Sequence, residues 1–421
     1  SRHHAATLAG LDALPTQWIG GEQLRLLGHR LRDFRGIERR LPAPGFTATL
    51  RPYQQDGLDW LQFLREYGLA GILADDMGLG KTVQTLAHLH LEKTSGRADR
   101  PSLVVATTSL MANWRNEAAQ FTPGLKVLTL HGKDRAELFG EIPAADLVLT
   151  TYPLLVRDRE TLLAQDWHLL VMDEAQFIKN PKAQSHQVAR LLRSRHRLSL
   201  TGTPLENHLG ELWAQFDYLM PGLLGNGKRF TQVYRTPIEK LGDEEMRNRL
   251  SERVRPFLLR RTKEQVLSDL PPRTEMVRWV EIEGGQRDLY ESLRVAFDRK
   301  LRHALVEQGV GRSQIMIFDA LLKLRQICCD PRLVRLPAAE ALVRKGHAHS
   351  AKLATLMEML VELIDEGRKV LLFSQFTSML ALIETELEKL AIPYVKLTGQ
   401  TRDRETPIDD FQKGRVPLFL I

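Results

Sequence analysis

A lysine and a threonine stand side by side at the head of a helix-like stretch. Before them come an apolar run and a glycine-containing loop, ILADDMGLGKT over 72–82, and after them VQTLAHLHL. That order suits a phosphate. The amides of such a loop and of a helix's first turn have no intrahelical acceptor and point at whatever anion lies beyond. Gly78 and Gly80 let the backbone come close, and Asp76, Met77 and Leu79 complete the cradle with their backbone N–H groups. Lys81 then meets the β- and γ-phosphates of a nucleoside triphosphate such as ATP, and Thr82 offers its hydroxyl to Mg²⁺. The strict phosphate-loop pattern begins on Gly or Ala, and here Asp75 stands there. A chance glycine turn before a helix does not explain why strand, loop, Lys-Thr and helix come in this order.

The second pair is Asp173-Glu174, which closes the apolar run of LLVMDEAQ over 169–176. Carboxylates at the C-terminal tip of a strand, beside a phosphate loop, are where a metal ion and an attacking water are handled. On this reading Asp173 binds Mg²⁺ and Glu174 orients or deprotonates water. An acidic helix start, favoured by the helix dipole, uses the same residues; the phosphate loop upstream decides between them. Thr201 and Thr203 of RLSLTGTPLEN (197–207) are candidates to sense the γ-phosphate, but an ordinary strand-to-loop turn has the same composition. Gln54 in LRPYQQDGLDWL carries a donor and an acceptor that match the edge of adenine. Local chemistry alone favours a turn at 201–203 and a surface glutamine at 54. His131 reads as a loop residue, Trp114 and Glu117 as helix-packing and capping groups, and the adjacent Cys328 and Cys329 as core thiols without metal-ligand spacing.

These residues need elements to bring them together. Apolar runs at 70–74, 102–106, 126–130, 146–150, 168–172 and 197–201 alternate with amphipathic stretches, the pattern of a parallel sheet with crossover helices. The expected fold class is α/β: an N-terminal extension over 1–46, a doubly wound lobe over 47–205, a helical protrusion and connector over 206–345, and the start of a second α/β lobe over 346–421. The chain has 421 residues, 43% of them hydrophobic, and a net charge of +7. That is enough apolar content for packed cores, against a disordered chain, and the charge points weakly to a polyanion. No apolar run approaches the ~18–20 residues of a membrane span, and the start lacks a secretory signal. A cytoplasmic protein, nucleoid-associated if bacterial, is expected. Ser1 and the strand-like VPLFLI at the end both read as cuts in a longer protein.

The segments PYQQDGLDWL, ADDMGLGKT, TSLMANWRNE, LTTY, DEAQFIKNP, LTGTPLEN, LRRTKEQV, LRQICCDP and LLFSQF follow one another over residues 50–421. In this set and order the chain resembles the Swi/Snf-related branch of the superfamily-two helicase-like ATPases, bacterial members most. The resemblance implies two RecA-like lobes, the second incomplete, with ATP and Mg²⁺ as cofactors. It implies that Gln54 contacts adenine, that Gln176 couples nucleotide state to the lobe interface, and that Thr201, Gly202 and Thr203 form a coupling motif. Ser109, Thr151, Ser374 and Gln375 match positions that meet the DNA backbone. Thr107 departs from the family by standing where Pro is usual. The Gly-rich motif and arginine fingers of the second lobe would follow Ile421, and Arg260 and Arg261, in the linker-side helical region, are not substitutes for them.

What these features imply together is a monomeric, ATP-driven motor that moves along double-stranded DNA with little sequence preference and remodels a protein bound to it. As given, residues 1–421 are expected to bind ATP and DNA but to hydrolyse ATP poorly. A strand-separating helicase, or a nucleotide-gated DNA- or RNA-binding module without turnover, are the alternatives, and ATPase rates with duplex, single strands and RNA discriminate them.

Overall fold

The structure is a computed structural model that describes residues 36–203, 208–266, 275–344, 349–401 and 403–421, with backbone only over 303–313. Residues 1–35 of the expected N-terminal extension and residues 204–207 of the LTGTPLEN segment therefore lie outside the description. Two compact units result, one ending at Pro272 and the other beginning at Arg273.

In the first unit, α1 spans Pro52–Glu66 and leads to β1 (Gly71–Leu73), α2 (Lys81–Thr94), β2 (Ser102–Ala106), α3 (Met111–Phe121), β3 (Val127–Thr129) and β4 (Leu147–Thr151). β5 (Asp166–Asp173), α4 (Gln184–Leu191), β6 (Arg193–Leu200), α5 (Leu209–Leu219) and β7 (Leu258–Leu259) follow. All strands pair in parallel, in the order β3-β4-β2-β5-β6-β1-β7. Each of the six apolar runs between 70 and 201 is a strand of this sheet. The stretch 206–345, expected to be a helical protrusion and a connector, also sends a short strand, β7, back to the sheet beside β1. A two-residue strand leaves no periodicity to read.

A parallel sheet of this kind is covered on both faces, and successive residues alternate between them. Leu103, Val105, Val148, Leu170 and Met172 pack in one core with α4 and α5. Their neighbours Val104, Leu147, Leu149, Leu169 and Val171 pack in the other with Trp60, Leu64, Leu86, Leu89, Met111 and Trp114 of α1, α2 and α3. α1 starts where it does because Pro52 suits the first helical turn and the Gln54 side chain turns back to accept from the Arg51 N–H at 2.9 Å.

The second unit holds the long helix α6 (Gly284–Cys329), then α7 (Ala351–Asp365), β8 (Val370–Leu372), α8 (Thr377–Lys389), β9 (Tyr394–Lys396) and β10 (Leu418–Leu420). Its strands are parallel in the order β8-β10-β9. Leu353, Leu360, Leu380, Ile383, Leu387 and Leu418 form its core, whereas Leu371 and Phe373 face solvent. Cys328 and Cys329 are free and only half-buried, not the core residues expected, because they end α6 at the rim of this small core. Among the described residues no helix is long and apolar enough to cross a membrane.

At the N-terminal edge of the large sheet, Glu92 is fully buried. It accepts from Arg97 Nε at 2.9 Å and Nη2 at 2.7 Å and from Gln62 at 3.2 Å, with His168 Nε2 at 3.2 Å from its other oxygen. Burial pushes this carboxyl up, but the bonds from His168 and Arg97 outweigh burial and hold it well below the usual range. Burial lowers the nearby His88 to about 4 and His196 to about 3. The signs agree. Below the ordinary histidine value of 6.5 the unfolded chain takes up protons that folded His88 and His196 refuse, so acid costs stability. Glu92 adds to the loss below its ordinary 4.5. Denaturant midpoints of the first unit are expected to fall as pH drops from 6.5 toward 4, with a slope up to ~1.4 kcal/mol per pH unit for each histidine. A midpoint that stays level over that window contradicts the assignment.

Candidate nucleotide site

The topology assembles the site at the C-terminal ends of neighbouring strands. β1 delivers the phosphate loop, β5 delivers Asp173-Glu174, and β6 runs between them and delivers Thr201. In an open α/β sheet this edge is where ligands bind. Gly78 and Gly80 have φ of +85° and +78°, left-handed values that side chains resist. Gly80 is also where α2 begins, and a Cβ there would lie 2.5 Å from the Gln54 amide nitrogen.

Lys81 is half-buried, and its ammonium donates to the carbonyls of Asp75 at 2.7 Å and Asp76 at 3.4 Å. Burial lowers its pKa, while the charges of Glu174 and Asp173, next in strength, oppose that shift; the loop cation and both carboxylates share one electrostatic neighbourhood. Met77 points outward from the loop, and its Cγ lies 3.2 Å from where a Cβ on Gly202 would stand. A larger residue at 202 would press on the Met77 side chain of the phosphate loop, which would have to shift by a few tenths of an ångström.

Asp173 is 6% exposed. One carboxylate oxygen accepts from the indole N–H of Trp114 at 2.7 Å, the other from the Glu174 N–H at 2.9 Å. Its pKa is raised to about 6: burial drives it up, the Trp114 bond opposes, and the Glu174 charge adds to the rise. The Tyr152 hydroxyl donates to the Asp173 carbonyl at 2.6 Å, and its ring stacks on Phe177 at 5.3 Å. Glu174 itself has φ +52°, unusual for a side chain of its size. A chain of bonds then leaves the carboxylates. Gln176 donates to Glu174 at 2.8 Å, Thr201 donates to Gln176 at 3.3 Å, and the Thr203 N–H donates to the Thr201 hydroxyl at 3.1 Å.

Gln54, Asp76 to Thr82, Asp173, Glu174, Gln176 and Thr201 to Thr203 are thus brought to one edge of the first unit. The Gln54 amide donates to the Leu79 carbonyl at 3.2 Å, which ties α1 to the phosphate loop. The residues matched to DNA contacts divide. Ser109 is exposed, bonded to Thr107 at 3.0 Å. Thr151 is 2% exposed at the end of β4. In the second unit, Gln375 is exposed and accepts from Arg325, while the Ser374 hydroxyl accepts from the Phe376 N–H at 3.2 Å ahead of α8.

Two residues do more in the structure than their sequence context shows. Trp114 packs as expected, but it also holds the carboxylate, a pairing across 59 positions with no local trace. Arg261 lies just past β7 in the first unit rather than in a linker-side helix, and it binds Asp75. Trp114→Phe is expected to cost ~1–3 kcal/mol by leaving a buried oxygen without its donor. It should also weaken the Mg²⁺-dependent part of ATP binding. Denaturant melts and ATP titrations with and without Mg²⁺ check both effects, and an unchanged Mg²⁺ increment would reduce Trp114 to packing.

Comparison with known proteins adds the following. The SNF2-related domain matches residues 53–333. YwqA of Bacillus subtilis (strain 168), whose name describes an ATP-dependent helicase/translocase, is 36% identical over 409 residues, covering 95% of this chain and 44% of its own. ISW2 of Saccharomyces cerevisiae, an ISWI chromatin-remodeling complex ATPase, is 33% identical over 390 residues, covering 90% of this chain and 35% of its own. The chain thus spans less than half the length of either relative. The Sulfolobus solfataricus SWI2/SNF2 ATPase core in complex with dsDNA is similar in structure, with a TM-score of 0.54 and 34% identity over 91% of this chain and 80% of that one.

Proposed function

Because the chain belongs to the SNF2-related family, we propose that it is the motor part of an ATP-driven translocase on double-stranded DNA. The observation that carries this reading is the bonded path from Glu174 through Gln176 and Thr201 to Thr203. A group that positions the attacking water is tied to the strand end beside the phosphate loop, so hydrolysis at one place shifts backbone at another.

In this site Lys81 and the first-turn amides of α2 bind the β- and γ-phosphates. Thr82 and Asp173 are the residues that would hold Mg²⁺. The donors fit: both are hard oxygens, and Mg²⁺ takes few protein ligands and keeps phosphates and waters for the rest. Trp114 and the Glu174 N–H each occupy one Asp173 oxygen, and each oxygen keeps a lone pair for a water of the ion's shell. Bound Mg²⁺ would screen charge on the phosphates. Glu174 orients the attacking water and accepts its proton. Gln54 reads adenine.

Ser109 in the first unit, and Ser374 and Gln375 in the second, are proposed to meet DNA phosphates, acting as a monomer and displacing a protein bound to the duplex. Backbone contacts carry no sequence information and release counterions. Duplex affinity is therefore expected to fall steeply across a salt series and to differ little between unrelated sequences. In the longer protein whose motor part this chain is proposed to be, ATP turnover should rise with duplex DNA more than with single strands or RNA. A level salt response, a strong preference for one sequence, or stimulation by RNA alone would overturn the assignment.

A further inference from the structure

Asp75, at the first position of the phosphate loop, is fully buried, which a carboxylate tolerates only with a partner. Its partner is 186 positions away. Arg261 grips it with two bonds, Nε to Oδ1 at 2.9 Å and Nη2 to Oδ2 at 2.5 Å. The same guanidinium donates to the Gln84 side chain of α2 at 2.9 Å and to the Tyr53 carbonyl at the start of α1. It also lies over the Tyr53 ring, 5.4 Å from its centre. The backbone reinforces the grip: the Asp76 N–H donates to the Arg261 carbonyl at 3.0 Å, and the Lys263 N–H to the Asp76 carboxylate at 3.1 Å. Gly57 leaves the room this needs, since a Cβ there would fall 1.8 Å from the Gln84 oxygen and 3.1 Å from Arg261 Nη2.

One side chain therefore joins the phosphate loop, the helix that follows it and the turn that carries Gln54. We infer that Arg261 is a positioning residue for nucleotide recognition: it locks the base-reading start of α1 to the phosphate loop, so that adenine and triphosphate are read by one rigid body. This rests on the nucleotide site proposed above. A planar, bidentate group is required, because a lysine ammonium cannot hold two carboxylate oxygens and a carbonyl in one plane. A glycine at the head of the loop would leave Arg261 without its carboxylate partner.

The test compares two ligands, ATP and inorganic tripolyphosphate, each with Mg²⁺, on the chain and its Arg261→Lys variant. A lock between base and phosphate sites predicts that ATP affinity falls ~10–100-fold, the worth of a charged hydrogen bond, while tripolyphosphate affinity changes far less. Preference for ATP over GTP should shrink in step. Asp75→Asn should reproduce both effects, and the double variant should be no worse than either single, as expected of groups acting as a unit. Thermal melts report whether each variant is folded, and Asp75→Asn stands in should Arg261→Lys fail to fold. Equal losses for the two ligands, no loss for either, or additive effects would overturn the inference. Absence of ATP binding by the unaltered chain would instead overturn the proposed function itself.

Discussion

Lys81→Ala is expected to remove ATP–Mg²⁺ binding, and the whole protein's ATP-dependent turnover, while the fold survives. Lys81 is the ammonium of the phosphate loop, and in the structure it holds the carbonyls of Asp75 and Asp76. A bound triphosphate offers far stronger acceptors, and each charged hydrogen bond lost with the side chain is worth ~1.5–3 kcal/mol. Two such bonds amount to a loss of order 10² to 10⁴ in affinity. The fold has no such dependence. Position 81 opens α2, where alanine is a good helix former, and burial already disfavours the ammonium there. Circular dichroism and ATP titration measure the two halves of the expectation. Wild-type binding or turnover in the variant would take Lys81 out of the site.

Glu174→Gln is expected to separate binding from chemistry. The residue sits at φ +52°, and glutamine meets the same backbone cost as glutamate there. Its amide oxygen can still accept from Gln176, so the path to Thr201 and Thr203 is preserved. What is lost is the carboxylate that takes a proton from water, a contribution of typically ~10²–10⁴ in rate. ATP affinity should stay within a few-fold while the whole protein's turnover stalls. Should affinity fall as far as in Lys81→Ala, the division of roles between Asp173 and Glu174 would be wrong.

The candidate nucleotide site was legible because it is local. A phosphate loop is a contiguous segment whose glycines, lysine and threonine must stand at set spacings for one backbone turn to surround an anion, so 72–82 carries its meaning by itself. The same holds for the apolar runs, each of which became a strand, and for Asp173-Glu174 at the tip of β5. For Gln54, Gln176 and Thr201 local chemistry was neutral or pointed elsewhere, and their roles came only from the order of motifs along the chain.

What composition and spacing could not reach is the set of contacts between segments far apart. Strand order put β6 between β1 and β5, and so placed Thr201 beside both the loop and the carboxylates. Trp114 and Asp173, or Arg261 and Asp75, meet across 59 and 186 positions. Neither partner has a local signature, since an indole looks like core and a second arginine in LRR looks like surface charge. Thr151 shows the converse, a motif threonine buried with the rest of β4, whose end it forms. The sequence by itself determined which residues are candidates to bind phosphate and handle water, because those chemistries belong to residue types at short spacing. Only the tertiary structure decided what holds these residues at their posts, because a buried carboxylate needs a partner in three dimensions and the chain supplies it from wherever the fold brings one near.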